Sequence, residues 1–439
     1  AGLGGGVYAW HADGTPVHGF PVWTIGRSPE EFDNNHTYDQ GFAGAPVLVD
    51  LDDDGDYEII AAAMDSRLYV MEGNGDDWGP YPVEICHPDL CGTVGSRIIT
   101  SPAVGDVDGD GDLEILFGSN EGASDGAESV AHLIDAATGE SEDGWPHAEA
   151  GLVNESMLLP MVGEGHPSSL ALADIDGDGD LEISNPIMLG MTDLMHHDTS
   201  TAVELTYYGM EYGEGSNAGD VPALLQMNTS PAFGDMDGDG TPDLILGGVS
   251  SYWLITLAMS HHVDYQQAVA AWSGSTGEFL EGWPRQIEDV QFMTAGAVAD
   301  LSGDGRAEAV FGSGGYLLHA WDASGAEPDG WPKFTGNWIL GGAAVGDITG
   351  DGYLEVVAVT REGQLFAWTT DGPADQEVQW ASIQHDPQNT GNFEMPLVQQ
   401  EGPVLMDEAG GCCRSGNKQA GVWLLFPLGL GFLRRRGSS

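Results

Sequence analysis

The sequence predicts an all-β chain of repeated four-stranded units, and three observations lead there. A nine-residue acidic loop, D-x-[DST]-x-D-G-x-x-[DE], recurs six times; a short apolar run flanks each copy on both sides; and 66 glycines in 439 residues suit many turns better than long helices.

In the first loop Asp50, Asp52, Asp54, Asp56 and Glu58 stand at the odd positions, with Gly55 at the sixth. The second carries Asp106, Asp108, Asp110, Asp112 and Glu114, and the third Asp174, Asp176, Asp178, Asp180 and Glu182. The fourth has Asp235, Asp237, Asp239, Thr241 and Asp243. A hydroxyl takes the third position in the last two: Asp300, Ser302, Asp304, Arg306 and Glu308, then Asp347, Thr349, Asp351, Tyr353 and Glu355.

Carboxylates spaced by one residue can curl round a single point, and the sixth-position glycine permits the sharp turn. The carbonyl of the seventh residue and the final acid complete an all-oxygen shell, which suits calcium better than the tighter octahedron of magnesium. An EF-hand shares the opening of this pattern but needs its last acid at position 12 and a helix on each side. Here the flanks read as strands, Ala45 to Val49 and Ile59 to Ala63 around the first loop, so up to six calcium ions are expected in a β context. An acidic turn that binds nothing is the alternative.

The loops start roughly 50 to 70 residues apart, the length of a four-stranded unit with variable inserts. Around the fifth loop the unit continues with strands Ala309 to Gly312 and Leu317 to Trp321; around the sixth, with Leu354 to Thr360 and Gln364 to Thr369. A Gly-Trp-Pro element closes several units, at Trp145-Pro146, Trp283-Pro284 and Trp331-Pro332, with Phe20-Pro21 as a variant, and reads as a packing wedge. Such units cannot bury both faces alone, and radial stacking into a β-propeller of four-stranded antiparallel blades solves that, with each acidic loop between first and second strands. Val7 to Trp23 matches the second half of a unit, so seven blades with a partial first are favoured over six. Trp380 to Gly391 reads as the close of the last repeat.

With Gly44-Ala45-Pro46, Phe117-Gly118 and Phe311-Gly312, the acidic loops make the chain resemble the FG-GAP family, the calcium-binding propeller repeats of integrin α-subunits and many secreted bacterial proteins. The resemblance spans roughly residues 7 to 392 and implies a seven-bladed propeller whose odd-numbered loop residues hold calcium. Ser302 and Thr349 depart from the usual Asp, which makes the fifth and sixth sites weaker by the same comparison.

A formal charge of -58 argues against nucleic acid or an anionic membrane surface as partner. Cys86 and Cys91 bracket a short loop that in an exported protein forms a local disulfide most simply; free thiols or a metal site with His87 are the alternatives.

Long inserts at residues 24–41, 84–99, 119–129, 186–228 and 250–267 are expected to leave the face opposite the acidic loops, where a protein or glycan ligand would bind. Two of them carry His196-His197 and His261-His262, which are either ordinary polar loops or a zinc or copper site. No nucleophile elbow, phosphate-cradling loop or HExxH helix is present. The expected role is a non-catalytic binding or adhesion module at the cell surface; the alternative is a secreted calcium-dependent polysaccharide lyase or hydrolase.

Residues 1–392 are assigned to the propeller, with its partial blade at 1–23, then 393–411 to a linker and 412–439 to a tail. The tail holds Cys412-Cys413, an apolar run from Val422 to Leu433, and Arg434-Arg435-Arg436. As a helix that run spans about 18 Å, short of a bilayer core of about 30 Å. The arrangement resembles the C-terminal sorting tails of myxobacterial surface proteins, which implies display on the outer surface of a Gram-negative cell with membrane contact only through the tail.

Overall fold

The computed structural model describes residues 6–25, 41–85, 98–120, 129–149, 166, 168–186, 192–206, 225–227, 229–250, 267–289, 291, 294–376 and 378–397. Among these residues the regular structure is all β-strand, so no helix is long and apolar enough to cross a membrane. The cysteines, His261, His262, most of the inserts and the tail lie outside the described residues.

Each acidic loop joins a short first strand to a longer second one. In the first sheet β3 (Val47–Val49) runs into the loop and β4 (Glu58–Ala62) leaves it, followed by β5 (Arg67–Met71) and β6 (Val83–Glu84) in the order β3-β4-β5-β6. The second sheet repeats this with β7 (Ala103–Gly105), β8 (Glu114–Asn120), β9 (Ser129–Asp135) and β10 (His147–Glu149). The third has β11 (Ala171–Ala173), β12 (Glu182–Asn185), β13 (Asp193–Met195) and β14 (Thr201–Val203). In the fourth, β15 (Leu225–Met227) and β16 (Ala232–Gly234) both pair with β17 (Asp243–Ser250), which continues to β18 (Gln267–Trp272) and β19 (Arg285–Ile287). The fifth contains β20 (Ala297–Ala299), β21 (Glu308–Gly312), β22 (Leu317–Trp321) and β23 (Lys333–Phe334); the sixth, β24 (Ala344–Gly346), β25 (Tyr353–Val359) and β26 (Leu365–Pro373). All pairings within these sheets are antiparallel.

The first strands lie innermost, and those of neighbouring sheets touch: β3 with β7, β7 with β11, β16 with β20, β20 with β24. Their small, buried side chains (Ala103, Ala171, Ala173, Ala232, Ala297, Ala299) let six sheets converge on one axis, which is a β-propeller. A two-stranded sheet, β1 (Gly6–Val7) with β2 (Val22–Trp23), packs against the first sheet through Val7, Phe20, Val22, Phe42, Ile59 and Met71. It fits a seventh, half-filled blade. Consistent with incomplete cover at these two units, Tyr8, Trp10 and Trp23 on one, and Tyr353 and Leu365 on the other, are exposed.

Two sequence expectations need correction. Trp380 to Gly391 does not close the last repeat. Strand β27 (Val378–Trp380) leaves the sixth unit and pairs with β20 of the fifth, and the chain beyond it fills the propeller axis. Backbone N–H groups at the centres of three innermost strands, Leu48, Val104 and Leu172, donate to the carbonyls of Gln388, Thr390 and Gly391 at 2.9 Å each. Val345 of β24 donates to Ala381, and Trp380 meets Phe233 of β16 edge-on, so residues 378–393 touch the inner strand of every loop-bearing sheet. Inner strands have unpaired backbone groups facing the axis, and this segment satisfies them.

The second correction concerns residues 186–228. They are not one insert, because β13 and β14 lie inside that span and complete the third sheet. His196 and His197 therefore occupy a strand-to-strand turn on the face that carries the acidic loops, not the opposite face.

Candidate metal centres

The six acidic loops share one internal scaffold. The ninth-position acid accepts a hydrogen bond from the second loop residue every time: Leu51 to Glu58 at 2.8 Å, Val107 to Glu114 at 2.7 Å, Ile175 to Glu182 at 2.6 Å, Met236 to Asp243 at 2.9 Å, Leu301 to Glu308 at 2.7 Å and Ile348 to Glu355 at 3.0 Å. The fifth-position carboxylate likewise accepts from the N–H of the seventh residue, as from Asp56 to Asp54 at 2.8 Å. These bonds fix one oxygen of each carboxylate in the same place in all six loops.

The sixth-position glycines all adopt positive φ, from +89° to +99°, as the pattern requires. A second left-handed position, the fourth, is absent from the nine-residue pattern. Gly109, Gly177, Gly238, Gly303 and Gly350 occupy it, and Asp53 adopts φ +58° in the first loop.

The loops bring oxygens together. Ligand atoms of Asp50, Asp52 and Glu58 lie within 4.8 Å of one another, as do those of Asp106, Asp108 and Asp110, and of Asp176, Asp178, Asp180 and Glu182. The ninth-position acids are at most 2 % exposed, and among the described residues no Lys or Arg pairs with them. Burial pushes the Glu114 carboxyl up to about 8, and Glu182, Asp243 and Glu308 up to about 7, against the pull of the backbone bond each accepts. Asp106 Oδ1, Asp180 Oδ1, Glu182 Oε1 and Ser302 Oγ are buried and accept no hydrogen bond. Desolvated acceptors without a donor are costly, and where they lie together, as Asp180 and Glu182 do, a cation offsets that cost, so the donor set fits a hard metal ion.

The sites are not identical. Thr349 Oγ1 and Thr369 Oγ1 both donate to Glu355 Oε1, at 3.3 and 3.1 Å, so the sixth loop has already engaged one of its oxygens. At the third loop His196 Nδ1 lies 3.0 Å from Glu182 Oε1 and His197 Nδ1 2.8 Å from Asp180 Oδ2. Neither contact follows from the nine-residue pattern.

The aromatic-proline elements act as wedges and also as clasps between blades. Trp145 Nε1 donates to the carbonyl of His197 at 2.7 Å and Trp283 Nε1 to Ala323 at 3.0 Å, each in the following sheet. Tyr81-Pro82 is a further copy that the Trp-Pro pattern missed, its Oη donating to Ala136 at 2.9 Å. On the axis, a cavity of about 320 Å³ is lined by Val378, His385, Phe393 and Leu397 among others.

Residues 50–117 match the FG-GAP-like repeat. No curated protein sequence matches the chain. Among solved structures, the chain is similar to the Dos1 propeller (11% identity, TM-score 0.48, covering 84% of this chain and 74% of that one). It is also similar to the quinohemoprotein alcohol dehydrogenase of Comamonas testosteroni (12%, 0.46, covering 86% and 65%) and to the V. cholerae biofilm matrix protein Bap1 (14%, 0.36, covering 78% and 79%).

Proposed function

We propose that this chain is a calcium-clasped β-propeller that acts as a non-catalytic binding or adhesion module for a protein or glycan on the outer surface of a Gram-negative cell. The observation that carries the reading is the repetition of one scaffold at six loops, each tying an inner strand to its neighbour. One hydrogen-bonded loop scaffold repeated at six equivalent turns is the arrangement expected of structural staples. Residues Asp50 to Glu58 and their counterparts in the other five loops would hold the ions, with carboxylate and carbonyl oxygens completing each shell.

Two further features support a binding role. The axis is filled by residues 378–393 of the chain itself. Ligand recognition then falls to the faces, and the strand ends away from the acidic loops are where the sequence places its long inserts. The high acidity suits a solvent-exposed module outside the cell. A glycan array, run with calcium and again with chelator, tests the reading: calcium-dependent retention of a defined glycan or protein class is expected. Reproducible product formation in a lyase and hydrolase screen would replace it with the carbohydrate-active alternative.

A further inference from the structure

The third acidic loop differs from the other five in the atom set opposite its ninth residue. In every loop-bearing sheet the third strand runs antiparallel to the second, so one residue stands across from the ninth-position acid. Glu114 pairs with Asp135 and Glu355 with Thr369. Continuing the register by one residue places Glu72 opposite Glu58, Ser273 opposite Asp243 and Asp322 opposite Glu308. Each of these five side chains offers oxygen. In the third sheet Ile183 pairs with Met195, so the residue opposite Glu182 is His196.

The local geometry is that of a ligand set. Glu182 is fully buried; its Oε2 accepts from Ile175, and its Oε1 accepts no hydrogen bond although His196 Nδ1 is 3.0 Å away. Atoms of Asp176, Glu182 and His196 all lie within 4.8 Å of one another. With the ring protonated this contact is an ion pair; with it neutral, an imidazole nitrogen and a carboxylate oxygen at this separation can both reach one cation. Calcium takes oxygen, whereas an imidazole with two carboxylates suits a borderline divalent ion such as zinc.

We propose that the third loop is a separate transition-metal site, built from Asp176, Glu182 and His196, that takes a zinc-class ion in the presence of calcium. The proposal shares with the calcium reading only the carboxylates; its selectivity rests on His196. His197 is bonded to Asp180 and is not part of the set.

Metal-stripped full chain is titrated with cobalt(II) as the spectroscopic probe, and with zinc, in millimolar calcium. One equivalent is expected to bind per chain at this site, with affinity falling at least tenfold in His196→Ala and in His196→Glu, which restores the oxygen found at Glu72. His197→Ala should retain it. Circular dichroism on each variant confirms that it is folded. Unchanged cobalt and zinc affinity in both His196 variants, or no binding by the parent chain in calcium, overturns the proposal. Cobalt binding that depends on His196, in a protein whose melting temperature ignores calcium, would uphold this site while removing the calcium reading.

Discussion

The indole Nε1 of Trp145 donates a 2.7 Å hydrogen bond to the backbone carbonyl of His197, tying the closing turn of the second sheet to the turn beside the third acidic loop. Tyr81 Oη makes the equivalent bond to Ala136 from the first sheet to the second. The residue receiving the bond follows directly after the one facing the ninth-position acid, so the clasp between blades and the loop within the next blade share one turn. Stiffening either should stiffen the other.

Tyr81→Phe isolates the clasp, because it removes only the hydroxyl and leaves the ring buried. Loss of the bond with a buried carbonyl left behind should cost about 1 to 2 kcal/mol, read as a shift in urea midpoint.

Backbone conformation gives a second test. Nothing lies within 4 Å of a Cβ built on Gly55 or Gly240, so alanine there meets only the cost of positive φ. Each Gly→Ala change should destabilise the chain by about 1 to 2 kcal/mol. Asp53→Gly, which removes the one non-glycine at the fourth position, should be close to neutral, since relieved strain offsets the added freedom of the unfolded chain.

His319 stands between Glu288 at 2.9 Å and Glu327 at 2.7 Å and stacks on Trp321. Burial pushes its pKa down, but the two carboxylates outweigh burial and hold it above the ordinary histidine value. With the folded-state pKa raised, the stabilisation is fully present below about pH 6.5 and is lost as pH rises through the raised value. Because Glu288 is 42% exposed, the effect should stay at or below about 1 kcal/mol. The stability difference between the parent chain and His319→Gln should shrink as pH rises above about 6.5, the ordinary histidine value.

The buried loop acids predict an opposite response to pH with and without metal. Their folded-state pKa values are raised to between about 7 and about 8, so the chelated protein binds protons more tightly than its unfolded chain. Its stability should fall as pH rises from the ordinary carboxylate range through about 8. On the calcium reading the ion takes the deprotonated form, so the increment it adds should grow over the same range. Thermal melts in chelator and in calcium at several pH values check both signs.

The axial segment is the least local part of the fold. Trp380 is fully buried against Phe233 and His385, so Trp380→Ala should cost about 3 to 5 kcal/mol. A chain ending after residue 376 should lose cooperative unfolding, whereas one ending after 397 should keep it.

The loops and their flanking strands were legible because spaced carboxylates, glycine at a turn and short apolar runs are local patterns. Strand Leu317–Trp321 matches its expected span, and Ile59 to Ala63 differs from β4 by one residue at each end. Asp53 hid the left-handed fourth position, and Tyr81 hid a closing turn that elsewhere carries Trp. His196 reads from sequence as part of an insert because β13 and β14 are only three residues long, too short to show alternation. The role of the axial segment could not be read locally: Asn392 bonds Val104 across 288 residues and Asn389 bonds Pro46 across 343. Those partners meet only once the ring has closed.

The central claim, that the acidic loops are calcium staples of the propeller, is tested most directly by the melting temperature of the full chain in chelator and in millimolar calcium. A ligand that binds only the folded state adds RT ln(1 + [L]/Kd) per site, about 2.7 kcal/mol at a hundredfold excess over Kd. A large upward shift that saturates with calcium is the predicted result. Identical melting temperatures in chelator and in calcium would contradict it.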